Sequence, residues 1–305
     1  LRKMSDHGSS LKAILYAFLA NLGIALAKLA AAMYTNSGSM LAESIHSFAD
    51  CGNQVLLFLG LKQAQRPADD KHPLGYGRVT YFWSFIVALL LFSMGGLFSI
   101  NEGWHKLHAT EPLNKAWVAL LVLGVSVALE SGSLLGCLRE IRKLRGERSL
   151  SYWVRNTRNA ELVVVLGEDV AALVGLVLAF VFVALAAATG NPVFDAIGSM
   201  VIGVVLVCVS IFIAVRIKGL IVGRSAEEDL QEALEAQIAA EAGIEKLYRA
   251  ITIQMGPQVM LAVKVRMKAG LPIEEAVECL NKLERNIKAK FPEVAWCFVE
   301  PDNAD

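Results

Sequence analysis

The sequence predicts an α-helical membrane protein with six transmembrane helices and a C-terminal cytoplasmic α+β domain, ferredoxin-like with the element order αββαβ. Three observations carry this reading. The chain of 305 residues is 55% apolar and 19% charged with a mean hydropathy of +0.50, against about 25% charged residues in an ordinary soluble domain. Long segments almost free of charge recur between residues 11 and 215. The formal net charge of zero conceals a division: up to residue 225 there are 20 Lys and Arg against 14 Asp and Glu, and beyond it 9 against 15, so the two parts carry +6 and −6. The expected domains are a six-helix transmembrane domain over 1–225 and a cytoplasmic dimerisation or regulatory domain over 226–305. A balanced total charge excludes a globally basic nucleic-acid binder, leaving the lipid bilayer as the expected medium. Cys51, Cys137, Cys208, Cys279 and Cys297 form no CxxC pair, so neither a disulfide framework nor a zinc ribbon is implied.

Spanning a hydrocarbon core takes roughly 20 apolar residues of helix. Residues 79–101 and 196–215 contain no charged residue, and 116–138 contains only Glu130. Three further segments have the length but carry ionisable groups: 11–34 with Lys12 and Lys28, 39–61 with Glu43, His46 and Asp50, and 161–187 with Glu161, Glu168 and Asp169. The first apolar run is too long for a signal-peptide core, so no cleavable signal is expected. Lys and Arg concentrate in the second loop (Lys62, Arg66, Lys71, Arg78) and the fourth (Arg139, Arg142, Lys143, Arg145, Arg148, Arg155, Arg158). That bias places the even loops and both termini in the cytoplasm. Compact loops and the lack of a targeting extension favour a bacterial inner membrane. Within the bundle, Lys28 with Asn21, and Glu130 with Ser126 and Ser133, read as structural partners. Asp195 is expected to cap the sixth span, and Gly95, Gly96, Gly198 and Gly203 to permit close helix packing.

The tail reads as a helix over 226–242, strands over 248–255 and 259–267 joined across Gly256-Pro257-Gln258, a helix over 272–290 and a last strand over 294–299. Ile273, Val277, Leu280 and Leu283 are expected to form the buried face of the second helix. A unit this small is marginal alone, which favours docking against a second copy.

An ionisable residue at membrane depth costs about 3 kcal/mol or more, and so marks a site or a pathway. Glu43, His46, Asp50 and Asn53 follow at spacings of three, four and three, which places all four on one helix face. His46 and Asp50, one turn apart, can grip a single ion. Asp169 lies in the fifth span with Glu168 beside it. Imidazole with carboxylates suits a divalent transition metal, zinc above all. The competing reading is that these groups only hydrogen-bond helices together.

The segments SGSMLAESIHSFAD (37–50), PADDKHPLGYGR (67–78) and DAIGSMVIG (195–203), with a short α+β tail, resemble the cation diffusion facilitator family of metal/proton antiporters. GNQ after Cys51 and LGED at 166–169 are most similar to the subgroup that includes the ninth human zinc transporter. The resemblance implies a secondary transporter that exports Zn2+, or Mn2+, Co2+, Ni2+ or Fe2+, in exchange for protons, without enzymatic activity or a resident cofactor. It also implies a homodimer with paired tails. The family closes a tetrahedral site with a histidine or aspartate and an aspartate on the second span, and HxxxD on the fifth. His46, Asp50 and Asp169 match three of these positions, whereas Val165 stands where the fifth-span histidine belongs. Glu168, Asn53, Glu43 or water is left to complete the shell, and an oxygen-richer shell weakens the preference for zinc. Glu168 is expected to carry a proton or a ligand bond. Asp69 and His72 match a secondary cytoplasmic metal site, weakened by Tyr76 in place of a further histidine. The tail contains no histidine, so no binuclear regulatory site is expected there.

Two other classes compete. A transport-inactive relative serving as a metal-sensing or partner-binding membrane scaffold fits the missing histidines. A membrane metalloenzyme would need an open coordination position and a substrate pocket, and neither is legible in the sequence.

Overall fold

A computed structural model describes residues 21–109 and 115–304. The expected first span therefore lies partly outside the described residues, which begin at residue 21 with α1 (21–35). There follow α2 (Gly38–Ala64), α3 (Val79–Leu90), a π-helical stretch (Leu91–Leu97), α4 (Phe98–Ala109), α5 (Ala116–Arg145), α6 (Leu150–Asn156), α7 (Ala160–Thr189) and α8 (Val193–Val222). Then come α9 (Glu228–Ala239), β1 (Ile244–Met255), β2 (Gln258–Met267), α10 (Ile273–Lys290) and β3 (Val294–Pro301). Among the described residues four helices are long and apolar enough to cross a membrane: Val79–His108, Ala116–Arg145, Ala160–Thr189 and Val193–Val222. The third span runs well past its expected end at residue 101, so Lys106 is helical. Most of the expected fourth loop is helical as well, because Arg139, Arg142, Lys143 and Arg145 continue α5 and Arg155 belongs to α6.

The chain forms two compact units that do not divide at residue 225. One gathers residues through 59, 83–148 and 161–215; the other gathers 60–82, 149–160 and 216–305.

In the first unit, glycines set the closest helix approaches. A Cβ on Gly203 of α8 would lie 2.7 Å from the Gly96 carbonyl oxygen, and one on Gly96 would lie 2.6 Å from Val207, so this crossing excludes any side chain. Gly95 and Gly96 sit in the π-helical stretch, where the extra residue per turn widens the helix. A Cβ on Gly198 would meet Phe182 at 2.5 Å. Asp195 does not cap its own helix. Its carboxylate accepts hydrogen bonds from Ser37 Oγ (2.7 Å), Gly38 N (2.5 Å) and Ser39 N (3.2 Å), capping α2 from a neighbouring helix. Asn191 Oδ1 accepts from Val193 N (3.0 Å) at the start of α8 instead.

In the second unit, β1 and β2 form an antiparallel hairpin closed by Gly256-Pro257, with Gly256 at φ 71°, and β3 pairs with β2 in parallel. Alternate β2 residues Val259, Leu261, Val263 and Val265 are buried against Leu234 and Ile238 of α9 and Leu283 and Ile287 of α10. The face expected for α10 is corrected at its N-terminal end: Ile273 and Val277 are 72% and 48% exposed, and burial shifts to Leu283 and Ile287. Apolar residues are free to remain on a surface, so periodicity alone does not fix which turns are covered. The hairpin turn is held from the segment before α3. Tyr81 Oη accepts from Gly256 N (2.9 Å), and a Cβ on Gly77 would fall 2.1 Å from the Met255 carbonyl oxygen. The guanidinium of Arg158 donates to the carbonyls of Ser225 (2.6 Å), Ala226 (2.9 Å) and Asn156.

Candidate functional site

The α2 face carries its four polar residues inward: Glu43, His46 and Asn53 are fully buried, and the Asp50 side chain is 20% exposed. They divide into two groups. Glu43 Oε2 lies 3.5 Å from Lys28 Nζ of α1, and the same ammonium donates to Ser47 Oγ (2.7 Å). Lys28 is thereby a structural partner across the bundle, joining α1 to α2. The free Oε1 of Glu43 lies against α7, 2.4 Å from where a Cβ on Gly175 would stand. Breaking a buried pair leaves an uncompensated charge, so Glu43 is committed to Lys28.

The second group surrounds a cavity of about 150 Å³, several times the roughly 30 Å³ that a water occupies in the liquid. Its polar lining comes from Asn21 of α1, Ser47, Asp50 and Gln54 of α2, Glu130 and Ser133 of α5, and Glu168 and Asp169 of α7. Asn53 Nδ2 donates to Glu168 Oε1 (2.6 Å), and Ser133 Oγ donates to Asp169 Oδ1 (3.2 Å). His46 Nε2 stands 3.5 Å from Asp50 Oδ2. Val165 also lines the cavity, one turn before Asp169. Several buried atoms here have no hydrogen-bond partner: Asp50 Oδ1, Asp169 Oδ2, Asn53 Oδ1 and both ring nitrogens of His46. Buried polar atoms are ordinarily satisfied, so orphaned oxygens around a cavity mark a place for a guest with positive charge or donatable protons.

The structure thus brings Asp50, Glu168 and Asp169 together around one space, with Asn53 holding Glu168 and His46 behind Asp50. It separates Glu43 from them. Glu130, whose sequence context suggested a structural partner, lines the cavity as a further carboxylate. Its position one turn before Ser133 on a span otherwise free of charge is the only sequence signal that marks it. Among the described residues no three His, Cys, Asp or Glu side chains are gathered closely enough to hold a metal ion. Valine at 165 has the same consequence, since it contributes bulk and no donor.

Asp69 and His72 lie in the second unit, in the loop before α3. Asp69 Oδ1 accepts from the backbone N–H groups of His72 (2.7 Å) and Lys71 (3.0 Å), and Oδ2 accepts from Tyr76 Oη (2.7 Å). The Tyr76 hydroxyl and then the His72 backbone hold the Asp69 carboxyl below its usual range, and Tyr76 is raised in return. The loop therefore uses both carboxylate oxygens for its own turn, and His72 Nδ1 remains 3.4 Å from Oδ1.

Residues 14–217 match the cation efflux transmembrane domain. The chain is 34% identical over 260 residues to the proton-coupled zinc antiporter SLC30A9, mitochondrial, of Xenopus laevis, an alignment covering 85% of this chain and 46% of that protein. It is 30% identical to the Homo sapiens protein of the same name, covering 85% and 45%. It is 29% identical to metal tolerance protein C4 of Arabidopsis thaliana, covering 82% and 54%. The chain spans about half the length of these relatives. Two of them are named as mitochondrial, so the bacterial inner membrane expected from compact loops has no support in them, while membrane residence itself follows from the domain and the apolar helices. The domain match over most of the chain, with the relative 34% identical over 85% of it, places this chain in the cation efflux family, the cation diffusion facilitators, whose members are membrane transporters of metal cations and not enzymes.

Proposed function

We propose that the protein exchanges a divalent transition-metal cation, zinc foremost, for protons across its membrane, with the ion passing through the cavity between α2, α5 and α7. The observation that carries this reading is the set of unpartnered carboxylate oxygens of Asp50 and Asp169 around a space large enough for a partly hydrated ion. Asp50 and Asp169 are the primary ligands in this reading, His46 joins through its contact with Asp50, and Glu168 and Asn53 complete an oxygen-rich shell. Glu43 is assigned to Lys28 and leaves the shell. Asp69 and His72 form at most a weak secondary metal site, since the loop consumes the Asp69 oxygens.

Exchange follows from competition. Carboxylate and imidazole must be deprotonated to bind metal, so loading with metal releases protons and reprotonation expels the ion. Alternating exposure of the cavity to the two sides converts this competition into antiport. The same reading makes α1 and α2 membrane spans beside the four apolar helices, sets both termini in the cytoplasm, and pairs two copies through the tail. The relatives' printed names, proton-coupled zinc antiporters, support the cargo and the coupling ion.

Proteoliposomes with an internal zinc dye and an imposed pH gradient test the reading. Wild type should give a zinc signal that collapses with the gradient and falls at least tenfold in Asp50→Asn and in Asp169→Asn, the scale on which removing a metal-site group acts. Absence of a zinc signal in wild type would favour the scaffold reading, for which Val165 in the cavity wall is the supporting observation.

A further inference from the structure

The cavity of the first unit ends against a layer of charge. Toward the N-terminal end of α2, its lining among the described residues reaches Ile24 on α1, Ser47 on α2 and Ala172 on α7. One helical turn further along each of these helices stand Lys28, Glu43 and Gly175. Lys28 and Glu43 are fully buried. The Lys28 ammonium donates to Ser47 Oγ (2.7 Å), in the cavity wall itself, and lies 3.5 Å from Glu43 Oε2. The second carboxylate oxygen, Glu43 Oε1, is buried without a hydrogen-bond partner and is aimed at α7. Glycine at 175 is what admits it, because a Cβ there would collide with Oε1, with Ile202 of α8 packed behind at 3.6 Å. One layer therefore joins α1, α2 and α7 across the end of the cavity.

A buried ion pair is expensive to assemble, and apolar side chains would join three helices as well. What the pair adds is a fixed positive charge, which bars cations from a narrow route. With both termini in the cytoplasm, the N-terminal end of α2 points to the opposite side of the membrane. An ion leaving Asp50 and Asp169 for that side meets this layer next.

We propose that Lys28, Glu43 and Gly175 form the gate that closes the metal cavity on the side away from the cytoplasm. In the closed arrangement described here, the ammonium repels the ion and the Glu43 carboxylate fills the seam between α2 and α7. Opening separates α7 from α2 at Gly175, and the unpartnered Oε1 then becomes the next oxygen that the departing ion meets. Lys28 and Glu43 are positioning residues in this account and not ligands of the cavity. The inference rests on the antiport reading for its direction, so its test includes a measurement that needs no transport.

The full chain, with its five cysteines replaced by alanine and Val165→Cys added in the cavity wall, is placed in sealed vesicles of either orientation. A membrane-impermeant cationic thiosulfonate then modifies the introduced thiol from one side at a time. Lys28→Met/Glu43→Gln should speed modification from the side away from the cytoplasm about tenfold, the least that loss of a nearby fixed charge brings, and leave the cytoplasmic rate unchanged. Lys28→Arg, which keeps the charge, should label as slowly as wild type. Gly175→Ala, whose methyl displaces the carboxylate from the seam, should accelerate labelling on the same side, and it decides the matter if the double variant loses its thermal midpoint. Equal rates in wild type and these variants, or equal acceleration from both sides, would overturn the gate. In zinc-dye vesicles without a pH gradient, the double variant should leak zinc about tenfold faster than wild type on the same scale, where a merely structural role would only slow transport. A one-sided labelling contrast with no gradient-driven zinc signal in wild type would strike the antiport reading alone.

Discussion

Lys28 is fully buried, and its ammonium depends on Glu43 and Ser47. Replacing one member of a buried ion pair leaves the other charge uncompensated, so Lys28→Met should destabilise the protein by about 3–5 kcal/mol. Unfolding of the purified protein in detergent measures it, and Lys28→Met/Glu43→Gln should recover most of the loss. A double variant no more stable than the single would show that Glu43 answers to something other than Lys28. Glu130 makes the opposite case. It faces the cavity, so Glu130→Gln should leave stability nearly unchanged while lowering zinc affinity about tenfold, as loss of an outer-shell group does, which zinc titration of the purified protein would read out. Helical spacing made His46, Asp50 and Asn53 legible as one inward face, because 3.6 residues per turn fixes azimuth. It could not separate Glu43 from them, since the separating charge comes from α1. Nor could it place Glu130, whose role depends on how α5 stands against α7.

At the scale of elements, contact between the Gly77 segment and the β1–β2 turn is the most sharply specified junction. A methyl at Gly77 would sit 2.1 Å from the Met255 carbonyl oxygen, so backbone has to move. Gly77→Ala should cost about 1–3 kcal/mol, whereas Gly132→Ala, with open space around its Cβ position, should be neutral or slightly stabilising through helix propensity. Thermal midpoints of the two variants compare these directly, and equal effects would contradict the junction. Strand and helix order in the tail was legible from alternation and from the Gly256-Pro257 turn. The α10 face was not, because Ile273 and Val277 share the periodicity of Leu283 but lie on turns that nothing covers within one copy. The cap of α2 by Asp195 was also hidden, as it joins residues 158 positions apart.

For the molecule as a whole, zero net charge resolves into a division within the chain. Of the acids buried inside the bundle, Glu43 pairs with Lys28, Asp195 caps α2, and Asp50, Glu168 and Asp169 stand around the cavity. Basic residues collect instead at helix ends, such as Arg142, Lys143 and Arg145 in the last turn of α5 and Lys288 and Lys290 in that of α10. The chain's own boundary at residue 225 marks the change in charge but not the compact units, since 60–82 and 149–160 join the tail through Tyr81, Gly77 and Arg158. The central claim is that one set of carboxylates serves metal and protons in turn. Simultaneous recording of internal zinc and internal pH in vesicles tests it most directly: the account predicts that zinc entry and proton exit rise and fall together in wild type and are abolished together in Asp50→Asn. Zinc movement that persists without proton movement, in either protein, would contradict it.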